Sequence, residues 1–521
     1  MFSRGGVSGQ CPPEVTAREA VAAIQDKATV VVVGSGGGVN EPYALLAALE
    51  ERFLEEASPR ELTLYHPNGL GDGHGGGTER FAHEGFVRRV YGSHWTWAPT
   101  LARMAAEGLF ECAVWPQGIL SQLLREAAGR RPGLLSEVGV GTYLDPDTPD
   151  QDRPGRQLLP EPHILSGRRW LWYPAPEVDV ALIRATSADS AGNLTMEEEG
   201  VVLDVLAAAS AAKARGGAVL AQVKRRKAEH ADPRQVRVPG CLVDAVIVEP
   251  IQRQSAGTAY QAAFSGDAVK AVPRTLPNQL VRRVIAARAA QELAPGMLVN
   301  VGFGIADAVP LVAEASGFGA SVTFSLEQGA MGGIPASGDD FGLMWNPTAI
   351  LDAPAVFDLY DGGGLDLALV SFAQVDQRGN VNVSYFGGRL VGPGGFMNIT
   401  RGARAVVFCG TMTTGDLRVD IGDGRLVIVN EGAVRKFVSR CDQITFSAEE
   451  ARLRGQRVLY VTERGVFTLG RDGIELVEVA RGLDAERDIV AAMGFRPRIS
   501  PELHQVTSDA VCPTLPRMVE Q

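Results

Sequence analysis

MLVNVGFGIADAVPLVAEASGFGASVTFSLEQGAMGG, residues 297–333, alternates short apolar runs with a segment of helical periodicity. The apolar run 297–301 predicts a buried strand, residues 302–304 predict a turn, and residues 306–315 predict a helix that is interrupted at 316–317. Residues 321–325 predict a second strand. A strand, a helix and a strand in this order form a βαβ unit, so we expect a mostly parallel sheet.

Glu327 directly follows the second strand of this unit. Ligands bind beyond the carboxyl ends of the strands in an open α/β sheet, and a right-handed crossover brings the turn 302–305 and Glu327 to that same edge. If the two strands are neighbours, backbone N–H groups of the turn can point at the group that reacts with Glu327, and that arrangement would make an oxyanion site. No lysine or arginine lies between Gly302 and Arg378. From spacing alone, Glu327 is either an ordinary turn residue or a nucleophile.

A second pattern occurs twice along the chain with identical internal spacing. The segments that match are Asp179–Leu182 followed by Asp189–Asn193, and Asp366–Leu369 followed by Asp376–Asn380. A buried apolar run follows each at the same distance, AVLAQV from Ala218 and AVVFCG from Ala405. Upstream, VVVGSGGG (31–38) also resembles VNVGFGIA (299–306).

Three matches in the same order predict two related open α/β halves with mostly parallel sheets. We place the halves at residues 1–270 and 278–521, because a stretch rich in Gly, Ser and Pro separates them. The first half carries a longer stretch between its glycine loop and its Asp179 segment. Within that stretch, His66, His74, His83 and His94 have a spacing that fits no standard metal site.

Composition narrows the function further. The net charge of −11 and the absence of long basic tracts argue against a nucleic-acid partner, and no apolar stretch is long enough to span a membrane. A cytoplasmic enzyme is therefore expected. The one dense basic cluster, residues 224–227, is either a solvated edge or a phosphate site. Cys241 and Cys409 lie in apolar runs and are expected in the core, and no cysteine spacing suggests a metal site.

Several long segments resemble the family I coenzyme A transferases, specifically the single-chain acetate/propionate type, in which two subunit types are fused. The resemblance covers nearly the whole chain. The segments that carry it are GGGTERFAHEGFVRRVYGSHW (75–95), WPQG (115–118), ALIRATSADSAGNLTMEEEG (181–200), FDLYDGGGLDLALVSFAQVDQRGNVNVSYFG (357–387), GPGGFMNITRGARAVVFCGTMTTG (392–415) and KFVSRCDQITFSAEEARLRGQRVLYVTERGVF (436–467).

The resemblance implies a role for individual residues. The family's catalytic glutamate maps onto Glu327, although Gln328 replaces the Ser, Asn or Ala that commonly follows it. An oxyanion and acyl site is implied at Gly304, Ile305, Gly395 and Gln117, and CoA contacts are implied at Gly302, Gly392 and Gly394. Lys224 and Lys227 are our candidates for contacts to the CoA phosphates. No metal and no permanently bound cofactor is expected.

The implied reaction is a ping-pong transfer of CoA between acyl-CoA and free carboxylic acids, with CoA held covalently on Glu327 during turnover. Short-chain acids are the leading substrates. A 3-oxoacid, or a longer or aromatic acid bounded by Trp95, Trp97 and Trp115, is the close alternative. Acyl-CoA hydrolysis and a CoA-binding sensor are the competing classes of function. A homodimer or homotetramer is expected from the resemblance.

Overall fold

Two ten-stranded sheets organise the protein. The computed structural model describes residues 11–272 and 279–506, which form these sheets, their flanking helices and six smaller sheets. This mixed architecture, in which most strands of the two large sheets run parallel, confirms the predicted fold class. Residues 273–278, which belong to the stretch that separates the predicted halves, lie outside the described residues. Cys512 also lies outside them. The division at 1–270 and 278–521 stays a prediction.

The first large sheet lies in the N-terminal part of the chain. Eight of its strands are parallel and have the order β10–β8–β6–β1–β2–β3–β4–β5. The short strand β7 pairs antiparallel with β6, and β9 pairs antiparallel with β7. The strands are β1 Thr29–Val32, β2 Leu62–His66, β3 Val87–Gly92, β4 Glu111–Ala113, β5 Arg156–Gln157, β6 Val180–Ala188, β7 Leu194–Thr195, β8 Ala218–Arg226, β9 Val236–Val238 and β10 Ala245–Val248.

The second large sheet has the order β14–β13–β12–β11–β15–β16–β17–β18–β19–β20. The five strands from β12 to β17 in this order are parallel, and the edges are partly antiparallel. The strands are β11 Leu298–Val301, β12 Thr323–Ser325, β13 Ala330–Met331, β14 Ala349–Ile350, β15 Leu367–Ser371, β16 Ala405–Cys409, β17 Arg457–Val461, β18 Gly465–Leu469, β19 Ile474–Ala480 and β20 Arg498–Val506.

The α-helices and smaller sheets complete the fold. The α-helices are α1 Ala17–Val21, α2 Tyr43–Glu56, α3 Pro99–Ala106, α4 Gln117–Ala128, α5 Val205–Ala214, α6 Ala262–Ser265, α7 Leu280–Ala290, α8 Val309–Ala315, α9 Ala353–Asp361, α10 Phe396–Gly402 and α11 Ala448–Leu453. The smaller sheets join Gly133–Ser136, Glu161–Leu165 and Arg168–Pro174; Ile334–Pro335 and Met344–Trp345; Gln374–Asp376, Val381–Asn382 and Phe437–Val438; Tyr385–Phe386 and Arg389–Leu390; Thr413–Thr414 and Val434–Arg435; Arg418–Gly422 and Arg425–Asn430.

The sequence pattern that occurs twice corresponds to a strand order that occurs twice. β10–β8–β6–β1–β2 in the first sheet has the same order and parallel sense as β17–β16–β15–β11–β12 in the second. Asp179 Oδ2 accepts a hydrogen bond from the backbone N–H of Thr29, and Asp366 Oδ2 accepts one from that of Leu298. Each aspartate therefore joins the start of its own strand to the start of the neighbouring strand.

The two Asp–Asn loops also make matching contacts. Asp189 accepts from the backbone and side chain of Asn193, and Asp376 does the same for Asn380. Asn193 Oδ1 accepts from the N–H of Gly240, and Asn380 Oδ1 accepts from that of Ala448 at the start of α11. These side-chain bonds explain why the spacing of Asp and Asn is identical in the two segments.

The predicted βαβ unit is present as β11, α8 and β12, with the difference that the helix starts later. Residues Ile305–Ala308 form a 3-10 turn before α8, whose second residue is Pro310. All nine residues of β6 are buried, as expected for a parallel strand covered on both faces. Cys409 lies in the core as predicted. The prediction for Cys241 is wrong, because this residue lies exposed in a surface 3-10 turn.

Among the described residues, the helices are too short or too polar to cross a bilayer.

Candidate functional site

Glu327 occupies a tight turn between β12 and β13. The turn is closed by hydrogen bonds from the Leu326 N–H to the Ala330 carbonyl and from the Gly329 N–H to the Leu326 carbonyl, both 3.0 Å long. Gly329 has a φ of 118°, and a β-carbon there would stand 2.1 Å from the carbonyl oxygen of Leu351. Only glycine fits this position, so Gly329 allows the chain to form this tight turn after Glu327.

The Glu327 carboxylate is buried and forms no ion pair with a described residue. The residue is 9% exposed, and its Oε2 has no hydrogen-bond partner within the described part of the chain. Burial raises the pKa of Glu327 above its ordinary value, whereas its own backbone N–H and the side-chain amides of Asn300 and Gln328 lower the pKa. The carboxyl group is therefore poorly solvated, and one of its oxygens has no partner among the described residues.

A network of hydrogen bonds among buried polar side chains lies next to this carboxylate. Tyr360 donates its hydroxyl to Ser325 Oγ at 2.9 Å, and the Asn300 side-chain amide lies 3.3 Å from the Tyr360 hydroxyl and 3.4 Å from the Ser325 carbonyl. The sequence analysis missed these three residues. A signal was present for two of them, because Asn300 and Ser325 are polar residues inside strands whose other inward positions are apolar.

The glycine turn after β11 lies beside the neighbouring strand β15. The Gly302 N–H donates to the Leu369 carbonyl at 2.8 Å, which extends the parallel ladder by one bond. Gly304 has a φ of 105°, a conformation that favours glycine. This turn and Glu327 follow adjacent parallel strands, so the structure brings them to one sheet edge as predicted.

The two backbone amides that we predicted as oxyanion donors in this turn have acceptors within the protein. The Ile305 N–H donates to Ser371 Oγ at 3.1 Å, and the same hydroxyl donates to the Phe303 carbonyl at 3.0 Å. The Gly304 N–H faces the Asp307 carboxylate, whose pKa is raised by burial and lowered by Arg282 and by this amide. A substrate oxygen at these amides would have to displace Ser371 or Asp307.

The turn formed by residues 392–395 is held by the N-terminal half of the chain. The Gly394 N–H donates to the Ser93 carbonyl, and the Gln117 N–H donates to the Gly394 carbonyl, both at 2.9 Å. Gly392 has a φ of 79°, and a β-carbon there would stand 2.3 Å from the Ser93 carbonyl oxygen. The close approach of the two halves therefore requires glycine at this position.

Gly395 ends this turn against the side chain of Glu327. A β-carbon at Gly395 would stand 3.3 Å from Glu327 Cγ and 3.1 Å from Ile399 Cδ1. Gly395 directly precedes α10, and its buried N–H has no acceptor among the described residues. The structure thus brings Gly395 to Glu327 and leaves one backbone donor free at that point.

Gln117 is the first residue of α4 and is 3% exposed. Its side-chain amide donates to Asn68 Oδ1 at 2.5 Å, and Asn68 in turn accepts at its carbonyl from His66 Nδ1, 2.7 Å away. His94 lies beside Gly394, with Cδ2 3.7 Å from the position of a β-carbon. Burial lowers the pKa of both histidines to about 4, so they are neutral near pH 7.

Lys224 and Lys227 lie apart from this group of residues. Lys224 Nζ is 2.6 Å from Glu198 and Lys227 Nζ is 2.6 Å from Glu197. Lys224 also lies 5.8 Å from the ring centroid of Tyr260. None of these contacts involves the residues around Glu327, and their role at the CoA phosphates stays a prediction.

The remaining predicted site features concern histidines, tryptophans and metals. His83 Nε2 lies 2.9 Å from Glu50, whereas His74 is exposed. Trp95 and Trp115 are each 1% exposed and belong to the core. Within residues 11–272 and 279–506, no cluster of His, Cys, Asp and Glu side chains is arranged to hold a metal ion.

Comparisons with known proteins place this geometry in context. Residues 15–249 match a family model described as coenzyme A transferase. The chain is 42% identical over 500 residues to the acetate CoA-transferase YdiF of Escherichia coli strain K12, covering 94% of this chain and 93% of that protein. It is 39% identical over 508 residues to the caffeate CoA-transferase of Acetobacterium woodii, covering 95% and 96%.

Solved structures agree with these relatives. The crystal structure of the acyl-CoA transferase YdiF apoenzyme from Escherichia coli O157:H7 superposes with a TM-score of 0.92 at 39% identity, covering 98% of each chain. A structure of the same protein as a thioester complex with CoA superposes with a TM-score of 0.91, also at 39% identity and 98% coverage of each chain.

Proposed function

Because this chain belongs to the coenzyme A transferase family and is a CoA-transferase, we propose that it transfers CoA from an acyl-CoA to a free carboxylate through a covalent intermediate on Glu327. One observation carries the proposal: a buried carboxylate that forms no ion pair with a described residue lies close to a glycine whose N–H has no acceptor among these residues. The thioester complex with CoA described for the relative YdiF supports the same route.

The proposed first step is an attack of a Glu327 carboxylate oxygen on the carbonyl carbon of the acyl-CoA. The tetrahedral oxyanion accepts a hydrogen bond from the Gly395 N–H, with Gly304 and Ile305 as the further predicted donors. The C–S bond then breaks, CoA leaves as its thiolate, and an acyl-glutamyl anhydride remains. Removal of one such backbone donor typically costs roughly 10²–10³ in rate.

In the proposed second step, the CoA thiolate attacks Cδ of Glu327. The anhydride C–O bond breaks, the first acid leaves as its carboxylate, and a glutamyl-CoA thioester remains. An acceptor carboxylate then reverses the two steps, so that CoA leaves on the new acid and Glu327 is regenerated. Each intermediate is an activated acyl group, which explains why no nucleotide triphosphate is needed.

The environment of Glu327 suits this chemistry in two ways. Burial raises the pKa of Glu327 and thereby makes its ionised form a stronger nucleophile, while the Asn300 and Gln328 amides keep that form accessible. Burial also keeps water away from the thioester, which would otherwise hydrolyse. In this proposal, burial of the turn both makes Glu327 more nucleophilic and shields the thioester from hydrolysis.

The substrate acids are proposed to be short-chain carboxylates such as acetate and propionate. Two relatives of similar identity carry the printed names acetate and caffeate CoA-transferase, so identity alone does not separate small from aromatic acids. The acyl pocket that we propose is lined by Asn68, His94 and Gln117 from the first half. 3-Oxoacid transfer and acyl-CoA hydrolysis are the alternatives that a panel of acceptor acids separates.

The experiment is to incubate the protein with acetyl-CoA, trap the product with hydroxylamine or borohydride, and locate the modification by mass spectrometry. We expect it on Glu327, and we expect Glu327→Ala to lose transfer. Glu502→Gln, which alters an exposed glutamate of the same half, is the matched control. Normal transfer by Glu327→Ala would contradict the proposal, and CoA release that does not depend on an acceptor acid would favour hydrolysis.

The proposed assembly is a homodimer or homotetramer, which light scattering after size-exclusion chromatography would measure directly.

A further inference from the structure

Lys436 is a half-buried cation without a carboxylate partner among the described residues. The three other half-buried lysines, Lys213, Lys224 and Lys227, each have a carboxylate oxygen within 2.6 Å of Nζ. Lys436 Nζ instead lies 4.3 Å from the ring centroid of Phe372. The aromatic ring compensates for only part of the hydration that the buried cation loses. A carboxylate partner would stabilise the cation far more.

The nearest acidic side chain does not supply that anion. Glu463 raises the pKa of Lys436, but its Oε1 accepts from Arg464 Nε at 2.9 Å and its Oε2 accepts from the Met412 N–H at 3.1 Å. Burial is the larger influence and lowers the pKa of Lys436 to about 8, so the ammonium is still charged at neutral pH. A charged, poorly solvated ammonium is a feature typical of ligand sites.

Lys436 lies at the sheet edge that carries the reacting group. Phe372, under its ammonium, directly follows the last residue of β15, and the Lys436 N–H donates to the carbonyl of Met412, three residues beyond β16. β12, which precedes Glu327, is the second neighbour of β15 in the sheet. Lys436 therefore lies between two and three strand spacings from β12, which is roughly 10–15 Å at about 4.8 Å per spacing.

One apolar cluster connects the surroundings of the two residues. Phe372 packs in one apolar cluster with Tyr360 and Phe396. Tyr360 donates to Ser325, two residues before Glu327, and Phe396 follows Gly395, which lies close to Glu327. A ligand that reaches Glu327 and extends along the carboxyl ends of the strands from β12 towards β16 therefore approaches Lys436.

We propose that Lys436 binds a phosphate group of the acyl-CoA. This inference rests on the proposed function. The carboxylate of a short-chain acid must lie at Glu327 to react, so it does not reach an ammonium two strands away. The phosphates of CoA lie at the far end of its flexible pantetheine arm, which places negative charge at a distance from the thioester. The assignment replaces neither Lys224 nor Lys227 but adds a cation at the catalytic edge.

The test compares substrates that differ only in phosphate. We would measure kcat/KM for acetyl-CoA, acetyl-3′-dephospho-CoA and S-acetylpantetheine with native protein and with Lys436→Met, which keeps an unbranched side chain over Phe372 but removes the charge. Lys436→Arg retains the charge, and Lys270→Met removes an exposed lysine as the control. Melting temperatures of all variants monitor folding.

We expect Lys436→Met to lower kcat/KM for acetyl-CoA roughly tenfold to a hundredfold, the range for a hydrogen bond to a charged group. With S-acetylpantetheine, native protein and Lys436→Met should be equal, and Lys436→Arg should recover part of the loss with acetyl-CoA. If Lys436→Met also lowers kcat/KM for acetyl-3′-dephospho-CoA, Lys436 binds the pyrophosphate. If kcat/KM for that substrate is unchanged, Lys436 binds the 3′-phosphate.

An equal loss with S-acetylpantetheine, or no loss with acetyl-CoA, would overturn the inference. Trapping of CoA on Glu327 separates this failure from a failure of the proposed function. If native protein forms no adduct, the proposed function fails. If native protein and Lys436→Met both form it at low acetyl-CoA concentration with equal efficiency, only the role of Lys436 fails.

Discussion

Gly395 lies so close to Glu327 that a methyl group at Gly395 would require a small movement of the glutamate side chain. A β-carbon there would stand 3.3 Å from Glu327 Cγ. The backbone of Gly395, with φ −78° and ψ −7°, is one that any residue adopts. Glycine is therefore favoured here by the neighbouring side chains of Ile399 and Glu327 and not by its own conformation.

Gly395→Ala should consequently lower kcat with little change in stability. We expect a reduction of roughly tenfold or more, because small displacements of a reacting group cost large factors in rate. The measurement is steady-state transfer together with a thermal melt. Gly394→Ala is a useful comparison, because Gly394 has a φ of 52° and its β-carbon would meet only His94 at 3.7 Å. That variant should be strained but leave Glu327 in place. Equal rates for native protein and Gly395→Ala would contradict the contact argument.

Tyr360→Phe should shift the acid limb of the kcat/KM profile to higher pH. Removal of the hydroxyl takes away an acceptor that holds the Asn300 side-chain amide in position, and in the native protein a hydrogen bond from that amide lowers the pKa of Glu327. The pKa of Glu327 then rises further above its ordinary value. Because the ionised form reacts, a given activity is reached only at higher pH. The lost hydrogen bonds should also cost about 1 kcal/mol of stability.

A pH–rate profile between pH 5 and 8 tests this expectation. Tyr385→Phe, which removes the hydroxyl of a half-buried tyrosine elsewhere in the second half, serves as the control. An unchanged acid limb together with a lower melting temperature would mean that the Tyr360 hydroxyl only stabilises the fold.

Glu41→Gln should stabilise the protein at alkaline pH relative to acidic pH. Burial and the nearby Asp72 raise the pKa of Glu41 to about 8, whereas an unfolded glutamate titrates near 4.5. Between these values the folded state binds the proton and the unfolded state releases it, so native stability falls as pH rises through this window. Glutamine removes that loss.

Melting temperatures at pH 5 and pH 8.5 measure the effect. The difference between the two values should be smaller for Glu41→Gln than for native protein, and Glu51→Gln, at an exposed position of α2, should behave as native. Parallel pH dependences for native protein and Glu41→Gln would show that Glu41 is ionised in the folded state.

Gln117→Ala should change the preference among acceptor acids more than it changes the reaction of acetyl-CoA. The variant removes the amide that donates to Asn68 and so loosens the first-half wall of the proposed acyl pocket. We expect KM for acceptor acids to rise roughly threefold to tenfold, the range for one neutral hydrogen bond. A rise in KM for acetyl-CoA alone would argue against an acyl-pocket role.

The sequence predicts the fold well because its signals are local. The apolar runs before Gly302 and Glu327 lie on adjacent strands, and the two Asp–Asn loops make the matched side-chain bonds that their spacing indicates. The βαβ rules then suffice to bring Gly302 and Glu327 to one edge.

The supporting network at the site could not be predicted in the same way. Tyr360 lies on α9, and only the folded chain places its hydroxyl on Ser325. The basic cluster that includes Lys224 stands out in the sequence, but Glu198 neutralises it in space, whereas Lys436 has no such partner among the described residues. Pairing of charges depends on tertiary contacts, and the sequence contains no local sign of it.

The Gly394 turn is held by Ser93 and Gln117, which belong to the other half of the chain. A C-terminal fragment separated from the first half by a protease would therefore carry the proposed nucleophile without the contacts that hold the proposed oxyanion donor in place. Such a fragment should be inert toward acyl-CoA. Joining both halves in one polypeptide also fixes their stoichiometry at one to one.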